Sequence, residues 1–327
     1  MDKNSLFYLI VGILVLQYLV DVIIDFLNAK IFSKEIPAEL KDVFAKEEYL
    51  KSQAYKKSNY NFGLWNSSFS LLLTLAFLFL GGFEWLDNWV RTISDKPVVM
   101  ALLYFGVLML GSSLIGLPFS YYKTFSIEES YGFNKTSKAI FWTDLVKSWV
   151  LTAFLGGGLL TLVILLLQIM GPNFWWYAWI VFGLLMIFVN LFYSKLIVPI
   201  FNKQTPLEEG KLKIAIENYA KKVGFELQKI FVIDGSKRST KANAYFSGFG
   251  KQKRITLFDT LINDLEEEEI VAVLAHEVGH YKRKHIIFNL CTSLLLTGFT
   301  LFVLSLFVNN PELSQAIGVG TPSLHAA

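Results

Sequence analysis

The chain has 327 residues, of which 54% are hydrophobic and only 17% charged; a soluble globular domain carries about 25% charged residues. The net charge of +3 is too small to suggest a nucleic-acid partner, and a single cysteine, Cys291, excludes a disulfide framework. The apolar surplus is gathered into long, nearly charge-free runs, as in a chain that crosses a bilayer several times.

Six runs, at residues 6–27, 62–83, 98–119, 149–170, 174–201 and 286–308, are long enough to span. Each supplies the roughly 20 helical residues that a hydrocarbon core of about 30 Å requires. The first is too long for the apolar part of a signal peptide and is expected to remain as a span. Gly171-Pro172-Asn173 predicts a tight break between the fourth and fifth. Lysine and arginine alternate in density between the runs. Seven, four and fifteen fall in alternate segments, against one, two, none and none in the others. The positive-inside rule therefore places the dense set in the cytoplasm. Trp85 and Trp89, then Trp175, Trp176 and Trp179, fall at predicted outer interfaces and read as an aromatic belt. Asp21 and Asp25 read as interfacial charges at the inner end of the first span.

The expected organisation is mainly α. Five transmembrane helices with loops occupy residues 1–201, a small cytoplasmic α+β portion 202–285, a sixth span 286–309 and a non-cytoplasmic tail 310–327. Within the polar portion, residues 207–223 predict a helix closed by Gly224, and residues 229–233 a strand ending at Asp234-Gly235. Residues 243–250 and 254–258 predict a β-ribbon with a glycine-containing loop. A further helix is expected to begin at Asp264 as N-cap, with Glu267 as capping-box partner.

That last helix carries His276-Glu277-Val278-Gly279-His280. Residues four apart on a helix point about 40° apart, so both imidazoles can ligate one zinc ion. Glu277 is placed to act as general base on a zinc-activated water, later passing the proton to the leaving amine. Two of only four histidines fall in this motif. A third protein ligand is normally needed. His285, nine residues after His276, lies about 180° away if the helix continues, and is not expected to contribute. His325 and Glu312 lie beyond the last span, on the outer side, and are likewise not expected to. The chemistry points to a peptide cut at or near the bilayer surface, since the last apolar run begins six residues after His280.

Several stretches together resemble the type I CAAX prenyl proteases, the integral-membrane zinc endopeptidases also called a-factor-converting enzymes. These run from Ile233-Asp234-Gly235-Ser236-Lys237-Arg238-Ser239 through Asn243-Ala244-Tyr245-Phe246-Ser247-Gly248-Phe249-Gly250 to Lys253-Arg254-Ile255-Thr256-Leu257-Phe258-Asp259-Thr260-Leu261. The zinc helix is another, and Leu117-Pro118-Phe119 with Phe125-Ser126-Ile127-Glu128-Glu129 and Tyr131-Gly132-Phe133-Asn134-Lys135 a third. The resemblance implies a polytopic helical barrel around a water-filled chamber, with one Zn²⁺ at its cytoplasmic end. It implies His276 and His280 as ligands, Glu277 as base, and Asn243, Ala244 and Tyr245 beside the bound peptide. The implied substrate is a C-terminally prenylated peptide, and the implied location the endoplasmic reticulum or a bacterial inner membrane. The family's third zinc ligand is a glutamate in a Glu-x-x-x-Asp helix after a seventh span. It is expected beyond Ala327, so the residues up to Ala327 alone are expected to hold zinc weakly and to be inactive without that segment. Two other readings compete: a membrane-protein quality-control metalloprotease, and a non-catalytic channel or scaffold with an incidental motif.

Overall fold

The computed structural model describes residues 2–32, 35–38, 41–225, 227, 229–247, 254–308 and 310–320. His325 and the loop of the expected β-ribbon, residues 248–253, lie outside these. In chain order the elements are α1 (Lys3–Ala29), α2 (Lys46–Phe79), α3 (Gly82–Ile93), α4 (Pro97–Tyr122), α5 (Lys138–Met170), α6 (Phe174–Phe192), α7 (Val198–Phe201), β1 (Gln204–Pro206), α8 (Lys211–Lys222), β2 (Lys229–Ile233), β3 (Ala244–Ser247), β4 (Arg254–Phe258), α9 (Asp259–Asp264), α10 (Glu267–Lys282), α11 (His285–Phe307) and α12 (Pro311–Ala316). π-helical turns follow α4 (Lys123–Glu128) and α6 (Tyr193–Ile197).

Among the described residues, five helical stretches are long and apolar enough to cross a bilayer: Lys3–Ala29, Lys46–Phe79, Pro97–Glu128, Lys138–Phe201 and His285–Phe307. The fourth contains two of the six apolar runs. Its chain turns at Gly171, whose φ of +56° is a conformation that L side chains rarely adopt, and α5 and α6 then pack against each other. The six runs therefore all lie on helices. Their surfaces are largely apolar and exposed, as lipid-facing helices require.

The chain divides into two compact units, residues 1–132 with 306–327, and residues 133–305. In the first, α1 packs on α2 and α12, and α3 on α4. α2 begins at Lys46, well before the apolar run, so its polar first half extends the helix beyond the predicted span. α3 was not expected. It is amphipathic, burying Leu86, Asp87 and Val90 while Trp85 and Trp89 stay exposed, which suits an interfacial helix. Asp21 and Asp25 are exposed.

In the second unit, α6 and α11 meet where the Trp179 Nε1–H donates to the carbonyl of Leu294 at 2.8 Å. Trp179 thus also packs one helix against another. A Cβ at Gly298 would stand 2.9 Å from that indole nitrogen, so the glycine permits the approach.

The polar portion is a four-stranded sheet in the order β1-β2-β4-β3. β1 and β2 are antiparallel, β2 and β4 parallel, and β4 and β3 antiparallel, with Ala244 opposite Leu257 and Phe246 opposite Ile255. Alternation sends Ala244, Ile255 and Leu257 into a core shared with Ile216 of α8, Leu261 of α9 and Ile270 and Leu274 of α10. The sequence-predicted helix 207–223 starts four residues late, at Lys211, because Leu207 is drawn to the sheet: its N–H donates to the carbonyl of Ile230 at 3.0 Å.

Candidate active site

Helix α10 forms where β-branched, alanine and leucine residues follow a run of glutamates. Its N-cap is Glu266 and not Asp264, because Asp264 ends α9 and Leu265 is extended (φ −120°, ψ 149°). Glu266 and Glu269 close a capping box, in which the Glu266 N–H donates to Glu269 Oε2 at 2.9 Å. Ile270, Leu274 and Val278 recur every four residues and are buried. Val278 packs in a second cluster with Ala220 and Phe225, against Phe246 of β3. His276 and His280 lie two residues on from Leu274 and Val278, about 200° around the helix, and are exposed. The buried stripe thus holds α10 against the sheet and aims both imidazoles away from it.

The two Nε2 atoms of His276 and His280 lie 3.0 Å apart, with ring planes at 72°. Two unprotonated ring nitrogens facing each other at that distance repel unless a proton or cation lies between them. Nitrogens sharing a tetrahedral zinc ion at about 2.0–2.1 Å are separated by roughly 3.3 Å, so the pair, which is also within hydrogen-bonding distance, needs to open by a few tenths of an ångström to share one. No group of three histidine, cysteine or acidic residues able to hold a metal occurs among the described residues. Glu277, adjacent in the chain, is partly exposed.

His285 is the residue that sequence reasoning set aside. The helix ends at Lys282 and does not continue unbroken to His285 as assumed. Lys284 adopts φ +57°, the only non-glycine among the described residues with positive φ, and its N–H donates to the carbonyl of Tyr281 at 2.9 Å, closing α10. α11 then starts at His285, and the His285 Nδ1 sits 2.7 Å from the Nδ1 of His280. His280 therefore presents Nε2 to His276 and Nδ1 to His285.

The segment expected beside a bound peptide lies next to this helix. Asn243 precedes β3, and Ala244 and Tyr245 are its first two residues. Among the described residues β3 is an edge strand, bonded only to β4 within the sheet, and it packs against α10. Asn243 is exposed and folded onto its own chain, its Oδ1 accepting from the Ala244 N–H at 2.9 Å. The Asn243 carbonyl accepts from the Phe258 N–H at 3.0 Å.

Residues 25–203 match the family described as CAAX prenyl protease N-terminal, five membrane helices, and residues 206–324 match peptidase family M48. The chain belongs to the CAAX prenyl protease family of M48 peptidases. It is 37% identical over 291 residues to CAAX prenyl protease 1 of Saccharomyces cerevisiae, covering 86% of this chain and 64% of that protein. It is 33% identical to the CAAX prenyl protease 1 homolog of Arabidopsis thaliana, covering 95% of this chain and 76% of the relative. The crystal structure of S. mikatae Ste24p superposes with a TM-score of 0.90 at 33% identity, over 97% of this chain and 75% of that one. The chain thus spans about two thirds of the yeast relative's length. Family membership and five membrane-capable stretches make it a multi-pass membrane protein.

Proposed function

We propose that this chain carries the metal-binding and general-base groups of a zinc-dependent endopeptidase that removes the C-terminal residues of prenylated C-a-a-X proteins, with its site facing the cytoplasm. The observation that carries the reading is the 3.0 Å approach of the His276 and His280 Nε2 atoms on an exposed helix face next to Glu277. His276 and His280 hold the ion, and a third protein ligand, expected downstream of Ala327 from the family resemblance, completes the set. Zinc, when bound, supplies a Lewis acid that polarises the scissile carbonyl and brings a water's pKa to about 7. Glu277 takes a proton from the attacking water and delivers it to the departing amine. We assign the donor role in the contact between His280 and His285 to His280. With the proton on His280 Nδ1 donated to His285 Nδ1, the Nε2 lone pair of His280 faces His276.

The exposed edge of β3 suits an extended peptide added as a further strand, with Asn243, Ala244 and Tyr245 beside it. The yeast and plant relatives carry the name CAAX prenyl protease, which supports the substrate class. The concentration of lysine and arginine in alternate loops supports the cytoplasmic orientation. The test is zinc stoichiometry and cleavage of a prenylated peptide by full-length protein. Wild type is expected to bind one zinc and cleave, and Glu277→Gln to keep the metal and lose cleavage. Cleavage by Glu277→Gln at the wild-type rate would remove Glu277 from the mechanism.

A further inference from the structure

Within the second unit, a cleft of 590 Å³ opens where the α6–α7 segment gives way to β1, β2 and β4. Five cations line it: Lys147 of α5, Lys195 of the π-helical turn, Lys203, Lys237 and Arg254. Among the described residues Asp234 is the only acidic side chain in the lining. Its carboxylate is already committed, Oδ1 accepting from the Asn202 Nδ2 at 3.0 Å and from the Lys203 N–H at 2.8 Å. The nearby Asp144, three residues before Lys147, is held by Arg238. Among the described residues none of the five cations is in an ion pair. Two have weaker partners: the Lys147 Nζ donates to the carbonyl of Ile200 at 2.8 Å, and the Arg254 guanidinium stands 4.7 Å from the centroid of the Phe231 ring.

A cluster with this excess of positive charge calls for an anion, and its position says which kind. Lys195 belongs to the apolar stretch Lys138–Phe201, where a cation is costly unless it has a partner. Its neighbours Tyr193 and Leu196 and the nearby Ile200 are exposed. Cations are therefore presented at the end of a bilayer-spanning stretch, with apolar surface immediately beside them. That arrangement fits an amphiphile whose phosphate enters the cleft and whose acyl chains lie along α6. Free phosphate has no use for the apolar flank. Basic pockets of this kind, between membrane helices on the cytoplasmic side, are sites for anionic headgroups.

We infer that this cleft binds the phosphate headgroup of an anionic phospholipid. The site is separate from the zinc-binding helix, and its occupancy is measured without reference to proteolysis. A cation near the surface is worth about 1 kcal/mol toward anionic lipid, so each lysine removed weakens binding about fivefold.

The full chain in nanodiscs of phosphatidylcholine with a minor share of phosphatidylglycerol, released into native mass spectrometry, is expected to retain phosphatidylglycerol in preference to phosphatidylcholine. Lys195→Gln with Lys203→Gln is expected to weaken retention roughly 25-fold. The double variant Lys195→Arg with Lys203→Arg, which keeps both charges, is expected to restore it. Lys221→Gln with Lys222→Gln, an equal charge change at the end of α8 and outside the cleft, is expected to match wild type. The inference is overturned if phosphatidylcholine is retained equally, if the α8 variant loses lipid as the cleft variant does, or if millimolar inorganic phosphate displaces the lipid.

Discussion

The Nδ1 atoms of His280 and His285 are 2.7 Å apart, with ring centroids at 4.9 Å and planes at 70°. One of these nitrogens must carry the proton and the other accept it, so the contact couples the tautomer of His280 to that of His285. Partners of this kind set ring orientation and basicity for metal-ligating histidines, and their loss costs 10–100-fold in metal affinity. His285→Ala is therefore expected to lower zinc affinity by about that factor, measured by competition with a fluorescent chelator, with helicity by circular dichroism unchanged. His285→Asn, whose amide oxygen can accept the same proton, is expected to recover part of the loss. Wild-type affinity in His285→Ala would show that the contact has no part in metal binding.

A peptide added to β3 pairs through backbone groups at every second residue of each strand. N-methylation of the substrate backbone is therefore expected to act with alternating effect. At positions that bond to the strand it should raise KM about tenfold per lost hydrogen bond. At the intervening positions it should change KM little, and kcat should change less than KM throughout. Steady-state kinetics on a series of singly N-methylated peptides measures this, and a uniform response along the peptide would argue against strand addition.

What the sequence made legible was whatever depended on hydrophobic period. The long apolar runs and the short ones of β2 and β4 were read in this way, and the pairing of the two imidazoles followed from helical spacing. What it concealed depended on single backbone torsions. His285 was set aside on the assumption of a continuing helix, and the left-handed Lys284, an unusual conformation for a lysine, overturns that geometry. The N-cap was placed at Asp264 because aspartate is a strong capping residue, yet a short helix, α9, claims it first and leaves the cap to Glu266. β1 contains Pro206 and three residues in all, too short to carry a period. α3 was merged with the end of a span because Phe83 extends the apolar run, while the turn at Gly81, φ +69°, separates them.

The capping box itself can be tested. Glu269 reaches back to the Glu266 N–H at 2.9 Å, and loss of such a cap costs about 1 kcal/mol. Glu269→Ala is expected to raise hydrogen exchange about fivefold in the first turn of α10, with smaller change near His280. Glu269→Gln retains an acceptor oxygen and is expected to exchange nearly as wild type.

Arg238 grips Asp144 with two bonds, Nε to Oδ2 at 2.7 Å and Nη2 to Oδ1 at 3.0 Å, and Nη2 also donates to the carbonyl of Phe201 at 2.7 Å. The Arg238 carbonyl in turn accepts from the Lys135 N–H at 3.0 Å and from Thr136 Oγ1 at 3.1 Å. A single residue, five positions beyond the end of β2, thus ties the start of α5, the end of α7 and the segment before α5 together. Both charged side chains are 23% exposed, so the pair is worth more than a surface bridge and less than a fully buried one. Asp144→Asn removes the charge but keeps one acceptor and is expected to cost about 1–2 kcal/mol; Asp144→Ala leaves the guanidinium largely unpaired and should cost more. Arg238→Lys cannot hold two carboxylate oxygens and a carbonyl in one plane, so it is expected to resemble Asp144→Asn and not wild type. The melting temperature in detergent orders these variants. If Arg238→Lys melted as wild type does, the planar fork would be irrelevant and the ion pair would act through charge alone.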